Sequence, residues 1–219
     1  MDISPLIISF KVSIVATILT TVLALPLALF ITGLRRTRQV FDALLSLPLV
    51  LPPTVVGFFL LILFGSNSIL GRFLERINID VVFSTKGAVI AAFVISFPII
   101  YRNARTAFEQ IDTDLVDAAR LMGYDGIRLF LNVYVPLTFH ELMTGVIIAF
   151  ARAIGEFGAT IMIAGNIPGR TRTMSVAVYT AMQSGNRELA YMWTVVILLL
   201  SFGVLLLLGH FAGRQYRRD

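Results

Sequence analysis

Long apolar runs separated by short polar segments make up most of this chain. A helix needs about 20 predominantly apolar residues to cross the hydrocarbon core of a bilayer, and five segments meet that length. Together they take up more than half of the 219 residues. The pattern predicts an all-α membrane protein of one domain, residues 6–212, with about five transmembrane helices. The predicted spans are residues 6–33, 43–64, 81–101, 142–164 and 189–212.

The ends of the predicted spans differ in character. The first apolar run exceeds the 7–15 residues typical of a signal peptide and follows Asp2 instead of a basic segment, so it is interpreted as a span. Three prolines in the first half of the second span predict either a bent or unwound helix or a short extended lead-in before a plain one. Residues 65–86 and 165–190 are polar enough to be loops, with a short helix expected in the first loop and another at 175–183 of the second.

Composition and charge place the chain in lipid. Only 14% of residues are charged, against about 25% in a soluble domain. Arginines are spread between the apolar runs and share no face, which predicts no nucleic-acid partner. They favour an outside N-terminus and an inside C-terminus. In this topology ten arginines lie on the cytoplasmic side of the membrane, namely Arg35, Arg36, Arg38, Arg102, Arg105, Arg120, Arg128, Arg214, Arg217 and Arg218. Six basic residues lie on the outer side, namely Arg72, Arg76, Lys86, Arg170, Arg172 and Arg187.

The inside segment between the third and fourth spans predicts two short amphipathic helices, within residues 114–135. Asp114 is placed to cap the first helix, and Gly123 suits the left-handed position that ends it. The second begins near Asp125 and is expected to stop at Pro136. An alanine-rich face without lysine favours docking in a groove of another protein over lying on lipid headgroups. That face comprises Leu115, Ala118, Ala119 and Met122.

Two charged residues, Arg152 and Glu156, interrupt the fourth span, where one charge near the helix centre costs roughly 2.5–3.5 kcal/mol. They must therefore face protein or water. Helical spacing predicts one stripe that they share with small residues, lining either a translocation pathway or a dimer interface. Arg152 then supplies positive potential for an anion, whereas the alternative is a purely structural ion pair. The stripe is Gly145, Ala149, Arg152, Glu156, Ala159 and Ile163, of which the first four are the predicted pathway residues.

Several chemistries are excluded by the residues that the chain lacks. It has no cysteine, so disulfides and thiolate metal sites are excluded. Its two lysines, Lys11 and Lys86, follow Phe and Thr, whereas a phosphate-binding P-loop requires a Gly-Lys pair. His140 starts a zinc-protease-like pair with Glu141, but Thr144 stands where the second histidine is needed. We expect no catalytic residues, metal or cofactor, and therefore a partner that supplies energy.

Residues 117–138, DAARLMGYDGIRLFLNVYVPLT, resemble the EAA motif of ABC importer permeases. This resemblance implies the type I ABC importer permease fold. It also implies that the motif forms coupling helices that fit a cleft on a separate ATP-binding subunit. Asp117 stands where the family most often has glutamate, which keeps the charge on a shorter side chain. The residues carried over as coupling residues are Asp117, Ala118, Ala119, Gly123 and Tyr124.

Two further segments narrow the resemblance. AFARAIGEFGATIMIAGN at 149–166 is similar to the molybdate and sulfate branch of these permeases, and LPLVLPPTVVGF at 47–58 looks more like its molybdate members. The resemblance implies import of molybdate or tungstate by a homodimer in the cell inner membrane. Two ATPase subunits and an extracytoplasmic oxyanion-binding protein complete the implied complex. A sulfate or thiosulfate permease is the alternative, because no residue pattern separates one tetrahedral dianion from another.

Two other functional classes are alternatives for this chain. A secondary anion transporter or channel often shows repeated halves with interrupted helices at matching positions, and no such repeat is seen in this sequence. A membrane scaffold that only docks a signalling partner would have no reason to bear the cost of Arg152 and Glu156 in a span. Uptake that continues without ATP or a partner would favour the secondary transporter.

Overall fold

The computed structural model describes residues 2–34 and 36–212, with side chains described as far as Gly209. Within these residues every regular secondary-structure element is a helix, which confirms the all-α prediction. The helices surround an interior of small and aliphatic side chains. Four residues used in the sequence predictions lie outside the described part, namely Arg35, Arg214, Arg217 and Arg218.

Three described helices are long and apolar enough to cross a membrane individually. Helix α1 (Ser4–Thr32) packs along α5 (Thr85–Glu109) through residues so small that the two backbones approach closely. These include Ala16, Ala24 and Ala28 of α1 and Ala88, Ala91 and Ala92 of α5, all without exposed surface. The three helices are α1 (Ser4–Thr32), α5 (Thr85–Glu109) and α12 (Arg187–Ala212).

Helix α5 extends eight residues beyond the predicted third span, which ended at Tyr101. The prediction stopped there because the next residue is charged, and charged residues do not lie in lipid. The helix continues because Ala104, Ala107 and Phe108 keep one face buried against neighbouring helices. The charged residues of this last stretch occupy the rest of its surface.

The predicted second span is two helices, α2 (Arg38–Val50) and α3 (Pro53–Phe64), whose axes differ by 111°. Leu51 has the extended conformation (ψ 140°) that a following proline favours. The predicted bend is confirmed, whereas one helix over 43–64 and an extended lead-in are both wrong. Helix α3 alone is about 18 Å long at 1.5 Å per residue, short of the roughly 30 Å core.

The predicted fourth span is also interrupted, so the continuous helix expected over 142–164 is wrong. Helix α9 (Phe139–Ile154) ends before Gly155, and α10 (Gly158–Ile163) begins after Phe157. Residues 126–137, which precede α9, meet it at an angle of 82°. The described residues therefore offer three spans, or five if both strongly bent helix pairs are counted as crossings.

Short helices complete the described chain. Helix α4 (Ile69–Arg76) lies in the 65–86 loop, where a short helix was expected, and the Ser68 hydroxyl caps it by accepting from the Gly71 amide at 2.7 Å. Helix α11 (Met174–Gln183) lies where a helix over 175–183 was predicted. Between α5 and α9 lie α6 (Thr113–Leu121), α7 (Gly126–Leu129), a π-helical turn (Phe130–Tyr134) and α8 (Val135–Leu137).

Candidate functional site

The first candidate site is the turn between α6 and α7. Gly123 has φ +87°, so the left-handed conformation predicted for it is confirmed. Its amide donates to the Arg120 carbonyl at 2.9 Å, and the Tyr124 amide donates to the Ala119 carbonyl at 3.1 Å. This pair of hydrogen bonds is the Schellman motif, which satisfies carbonyls at a helix C-terminus. The turn is therefore a defined structure that depends on glycine.

The start of α6 differs from the prediction in its capping residue. Asp112, not Asp114, is the N-cap, and its Oδ1 accepts from the Asp114 amide at 2.9 Å. The helix begins at Thr113, one residue earlier than expected. Asp114 is thereby inside the first turn, where a negative charge is still favourable to the helix dipole.

The predicted apolar face of α6 is divided between interior and solvent. Ala119 is buried with Val116 and Leu129, whereas Leu115, Ala118 and Met122 are exposed. The prediction of one docking face was wrong in this respect, because two turns of helix also have to hold α7 in place. The most exposed apolar side chains of α6, α7 and the residues between them lie at the turn instead, namely Leu121 (91%), Met122 (72%) and Ile127 (67%).

The second predicted helix of this segment does not stop at Pro136 as expected. A π-helical turn precedes the proline, and Pro136 lies in the first turn of α8, where a missing amide is tolerated. The helical path therefore runs on to Leu137. Tyr134 packs edge-on against Phe108 at 5.6 Å between ring centroids, which joins this path to the end of α5.

The predicted coupling residues are mostly accessible at this turn. Asp117 and Arg120 form an exposed ion pair of 3.0 Å, of a kind that contributes little to stability. Ala118 is exposed and Tyr124 is 37% exposed, while Ala119 is buried. The docking role of these residues stays a prediction. All of them except Ala119 are accessible to a partner protein.

The second candidate site is the interruption between α9 and α10. Glu156 is only 2% exposed and lies beyond the end of α9, so it does not continue the predicted stripe. Its Oε1 accepts from the Ala159 amide at 2.8 Å, capping α10. Its Oε2 lies 2.7 Å from Nη1 of Arg152, an ion pair by distance without hydrogen-bond alignment.

The four predicted pathway residues therefore have different environments. Gly145 and Ala149 are buried, and a Cβ on Gly145 would lie 2.9 Å from the Asn103 side chain of α5. Their small size is explained by helix packing within the chain. Arg152 is 35% exposed, whereas its partner Glu156 is buried. Of the four, Arg152 alone presents substantial surface, and its role toward a substrate stays a prediction.

A close contact between α3 and α10 connects the two helix interruptions. A Cβ built on Gly57 would lie 2.7 Å from Cα of Ala159, and one on Gly158 would lie 3.0 Å from Cβ of Pro53. Real Cβ atoms essentially never come as close as 2.7 Å and rarely as close as 3.0 Å, so the close approach of the two helices depends on glycine, most strictly at Gly57. The sequence reasoning missed this contact, since the two glycines are a hundred residues apart.

We predict that Gly57→Ala destabilises the chain by about 1–3 kcal/mol, the usual cost of overpacking a tight interior. The added methyl group cannot avoid the Ala159 backbone without separating α3 from α10. Thermal unfolding in detergent measures the effect. Gly203→Ala in α12 is the control, because its Cβ meets nothing within 4 Å. Equal melting temperatures for both variants would contradict the close contact.

A third feature is an ionic cluster joining α2 to α5, which the sequence reasoning did not identify. Arg38 contacts Glu109, and Asp42 contacts both Arg105 and the Tyr101 hydroxyl. Nε of Arg105 also donates to Oε1 of Glu109 at 2.8 Å. The signal in the sequence was the i, i+4 spacing of opposite charges on both helices. The ionic cluster is Arg38, Asp42, Tyr101, Arg105 and Glu109.

Comparison with known proteins identifies relatives that match most of the chain. A family model, the binding-protein-dependent transport system inner membrane component, matches residues 21–215. The molybdenum transport system permease protein ModB of Escherichia coli (strain K12) is 42% identical over 83% of this chain and 80% of its own length. YvgM of Bacillus subtilis (strain 168), provisionally named a molybdenum transport system permease, is 43% identical over 91% of this chain and 88% of its own.

More distant similarities support the same fold. A sulfate transport system permease of Prototheca wickerhamii, named as probable, is 28% identical over 92% of this chain and 79% of its own. A chain of a bacterial alginate ABC transporter, solved in complex with a pentasaccharide-bound periplasmic protein, superposes with a TM-score of 0.68 at 16% identity. The aligned region covers 96% of this chain and 79% of that one. This chain belongs to the family of binding-protein-dependent transport system inner membrane components.

Proposed function

We propose that this chain is the membrane-spanning subunit of an ABC importer that translocates molybdate. It works as a homodimer in the cell inner membrane, with its N-terminus outside and its C-terminus in the cytoplasm. A separate pair of cytoplasmic subunits hydrolyses ATP, and an extracytoplasmic binding protein delivers the oxyanion. The chain itself performs no hydrolysis.

The exposed apolar turn at Gly123 carries the coupling part of this proposal. Leu121, Met122 and Ile127 are each at least two-thirds exposed, and they surround a turn whose shape hydrogen bonds and a left-handed glycine define. Apolar side chains presented on a short preformed helix fit a groove in a partner protein. Opposite charges at Asp117 and Arg120 flank that surface and provide polar contacts at its rim.

Arg152 is the residue proposed to act on the anion. Its guanidinium lies at the interruption between α9 and α10, beside a carboxylate that already neutralises its charge. An approaching dianion meets a positive group whose attraction is moderated by Glu156. Weak binding of this kind suits a pathway, because a transported ion must leave as readily as it enters.

The identity of the substrate is supported by relatives instead of by geometry. Two relatives named for molybdenum transport are 42% and 43% identical, against 28% for a relative named for sulfate transport. Molybdate is therefore the first substrate to test, with tungstate and sulfate as the discriminating alternatives. All three are tetrahedral dianions, so selection among them is assigned to the binding protein.

The proposal is tested by co-purifying the chain with its ATPase subunits and measuring ATP hydrolysis in nanodiscs. Binding protein loaded with molybdate is expected to stimulate hydrolysis more than the same amount of protein loaded with sulfate. Empty binding protein is the control. Failure of the ATPase to co-purify, or equal rates with molybdate, sulfate and no ligand, would contradict the proposal.

A further inference from the structure

The ionic cluster is the main polar attachment of α2 to the rest of the described chain. All thirteen residues of α2 are described, and none is fully buried. Leu45 is half-buried against the interior, while Val40, Leu44 and Val50 are exposed. Apolar burial within the chain therefore holds α2 weakly, since its strength scales with the area removed from water.

Each charged side chain of the ionic cluster also has more than one partner. Asp42 contacts Arg105 and Tyr101 and lies 4.0 Å from Nε of Arg38, whereas Glu109 contacts both arginines. Tyr101 has no exposed surface, and its ring stacks on Phe97 at 6.2 Å between centroids. Two positive and two negative charges balance, so the group is neutral and anchored at a buried phenol.

The position of the cluster in the chain links the two sites described above. Glu109 is the last residue of α5, and α6 begins four residues later at Thr113. Asp117 and Arg120 of α6 line the same cleft as Arg38 and Glu109, a space of about 530 Å³. Only residues 110–112 separate α6 from the Glu109 end of the ionic cluster.

The α2 side of the ionic cluster is connected to the interruption between α9 and α10. Helix α2 continues through the bend at Pro52 into α3, which touches α10 through Gly57 and Ala159. The first turn of α10 is capped by Glu156, the partner of Arg152. The chain and its contacts thus connect the ionic cluster, through α2 and α3, to α10 and Arg152.

We propose that the ionic cluster positions α2 by holding it against α5, so that the two helices move together. A movement of the turn at Gly123 then reaches the α3–α10 contact. This inference rests on the proposed function, since it assumes that a partner moves α6. In thermodynamic terms the cluster carries part of the coupling free energy between two sites, which typically changes an equilibrium by 5–150-fold. Its residues touch neither nucleotide nor substrate.

Charge reversal separates this role from mere stability. Glu109→Arg places like charges beside both arginines, and transport per ATP hydrolysed is expected to fall about tenfold, within the range for coupling between sites. Reversing all four charges together, with Arg38→Glu, Asp42→Arg, Arg105→Glu and Glu109→Arg, recreates every opposite-charge pair and is expected to restore the ratio. Arg102→Gln, on α5 outside the cluster, is the control.

A second readout follows the movement itself. The chain has no cysteine, so spin labels can be attached at single introduced cysteines. Gln39→Cys on α2 and Thr106→Cys on α5 are both exposed. The distance between these labels is expected to stay constant between nucleotide-free and ATP-trapped complexes of the wild type, and to change between them in the Glu109→Arg background.

The outcomes distinguish this inference from the proposed function. If wild-type complexes couple hydrolysis to transport but Glu109→Arg keeps the same ratio, the positioning role is refuted and the proposed function stands. A reversed quadruple variant that folds but stays uncoupled, or a label distance that changes in the wild type, also refutes it. Wild-type complexes without ATP-dependent transport would refute the proposed function itself.

Discussion

Arg152→Ala is expected to lower the free energy of unfolding by about 3 kcal/mol and to abolish transport. Removing one partner of a buried ion pair costs about 3–5 kcal/mol; the lower end applies because Arg152 is 35% exposed. The cost arises at Glu156, whose carboxylate keeps the Ala159 amide but loses its positive neighbour while 2% exposed. Thermal unfolding in detergent and molybdate uptake by proteoliposomes measure the two effects.

Two matched variants separate stability from transport at this pair. Glu156→Gln keeps an acceptor for α10 and leaves Arg152, which reaches water, so a smaller loss of stability is expected. The double variant Arg152→Met with Glu156→Gln removes both charges and should recover most of the stability. Transport should nevertheless stay low in the double variant if Arg152 acts on the anion. Full transport there would leave the pair with a structural role only.

Gly123→Val is expected to lower the amount transported per ATP hydrolysed by about tenfold or more, while the chain still inserts in the membrane. A residue other than glycine in the left-handed conformation costs about 1–3 kcal/mol, and a β-branched one is the least suited. No atom lies within 4 Å of the added Cβ, so backbone strain and not collision causes the effect. Relief of that strain opens the Schellman turn and separates Leu121 from Ile127. Transport per ATP in reconstituted complexes measures it.

Gly185→Val is the control for that strain. Gly185 also has a left-handed backbone, with φ +76° and no atom near an added Cβ, but it lies between α11 and α12. The two variants should lose similar stability, and only the one at Gly123 should lose coupling. Gly123→Asn should be intermediate, because asparagine tolerates the left-handed region better than other residues. Equal coupling in both valine variants would contradict docking at this turn.

The sequence predicted the elements that depend on lipid or on one local backbone conformation. Helices α1 and α12 follow from apolar length alone, because a chain in lipid must satisfy its backbone internally. The left-handed Gly123 followed from a polar, helical pattern that stops at a glycine. The bend before α3 followed from prolines that cannot continue a helix.

Other features depend on contacts between distant segments, which one sequence does not show. Glu156 fits an i, i+4 helical stripe by spacing, and only the structure shows the chain leaving α9 to use it as a cap for α10. In the sequence Gly57 is one residue of an apolar run, and only the structure places Ala159 against it. The ionic cluster likewise needs α2 and α5 to be adjacent before its i, i+4 charges become a network.

ATP-dependent uptake of radiolabelled molybdate into proteoliposomes tests the central claim most directly. The vesicles contain this chain with its ATPase subunits, and the loaded binding protein is added on the extracytoplasmic side. Uptake is expected only when ATP, the ATPase subunits and the binding protein are all present, and an imposed proton or sodium gradient should not replace ATP. Uptake by the chain alone, driven by an ion gradient, would contradict the account and identify a secondary transporter.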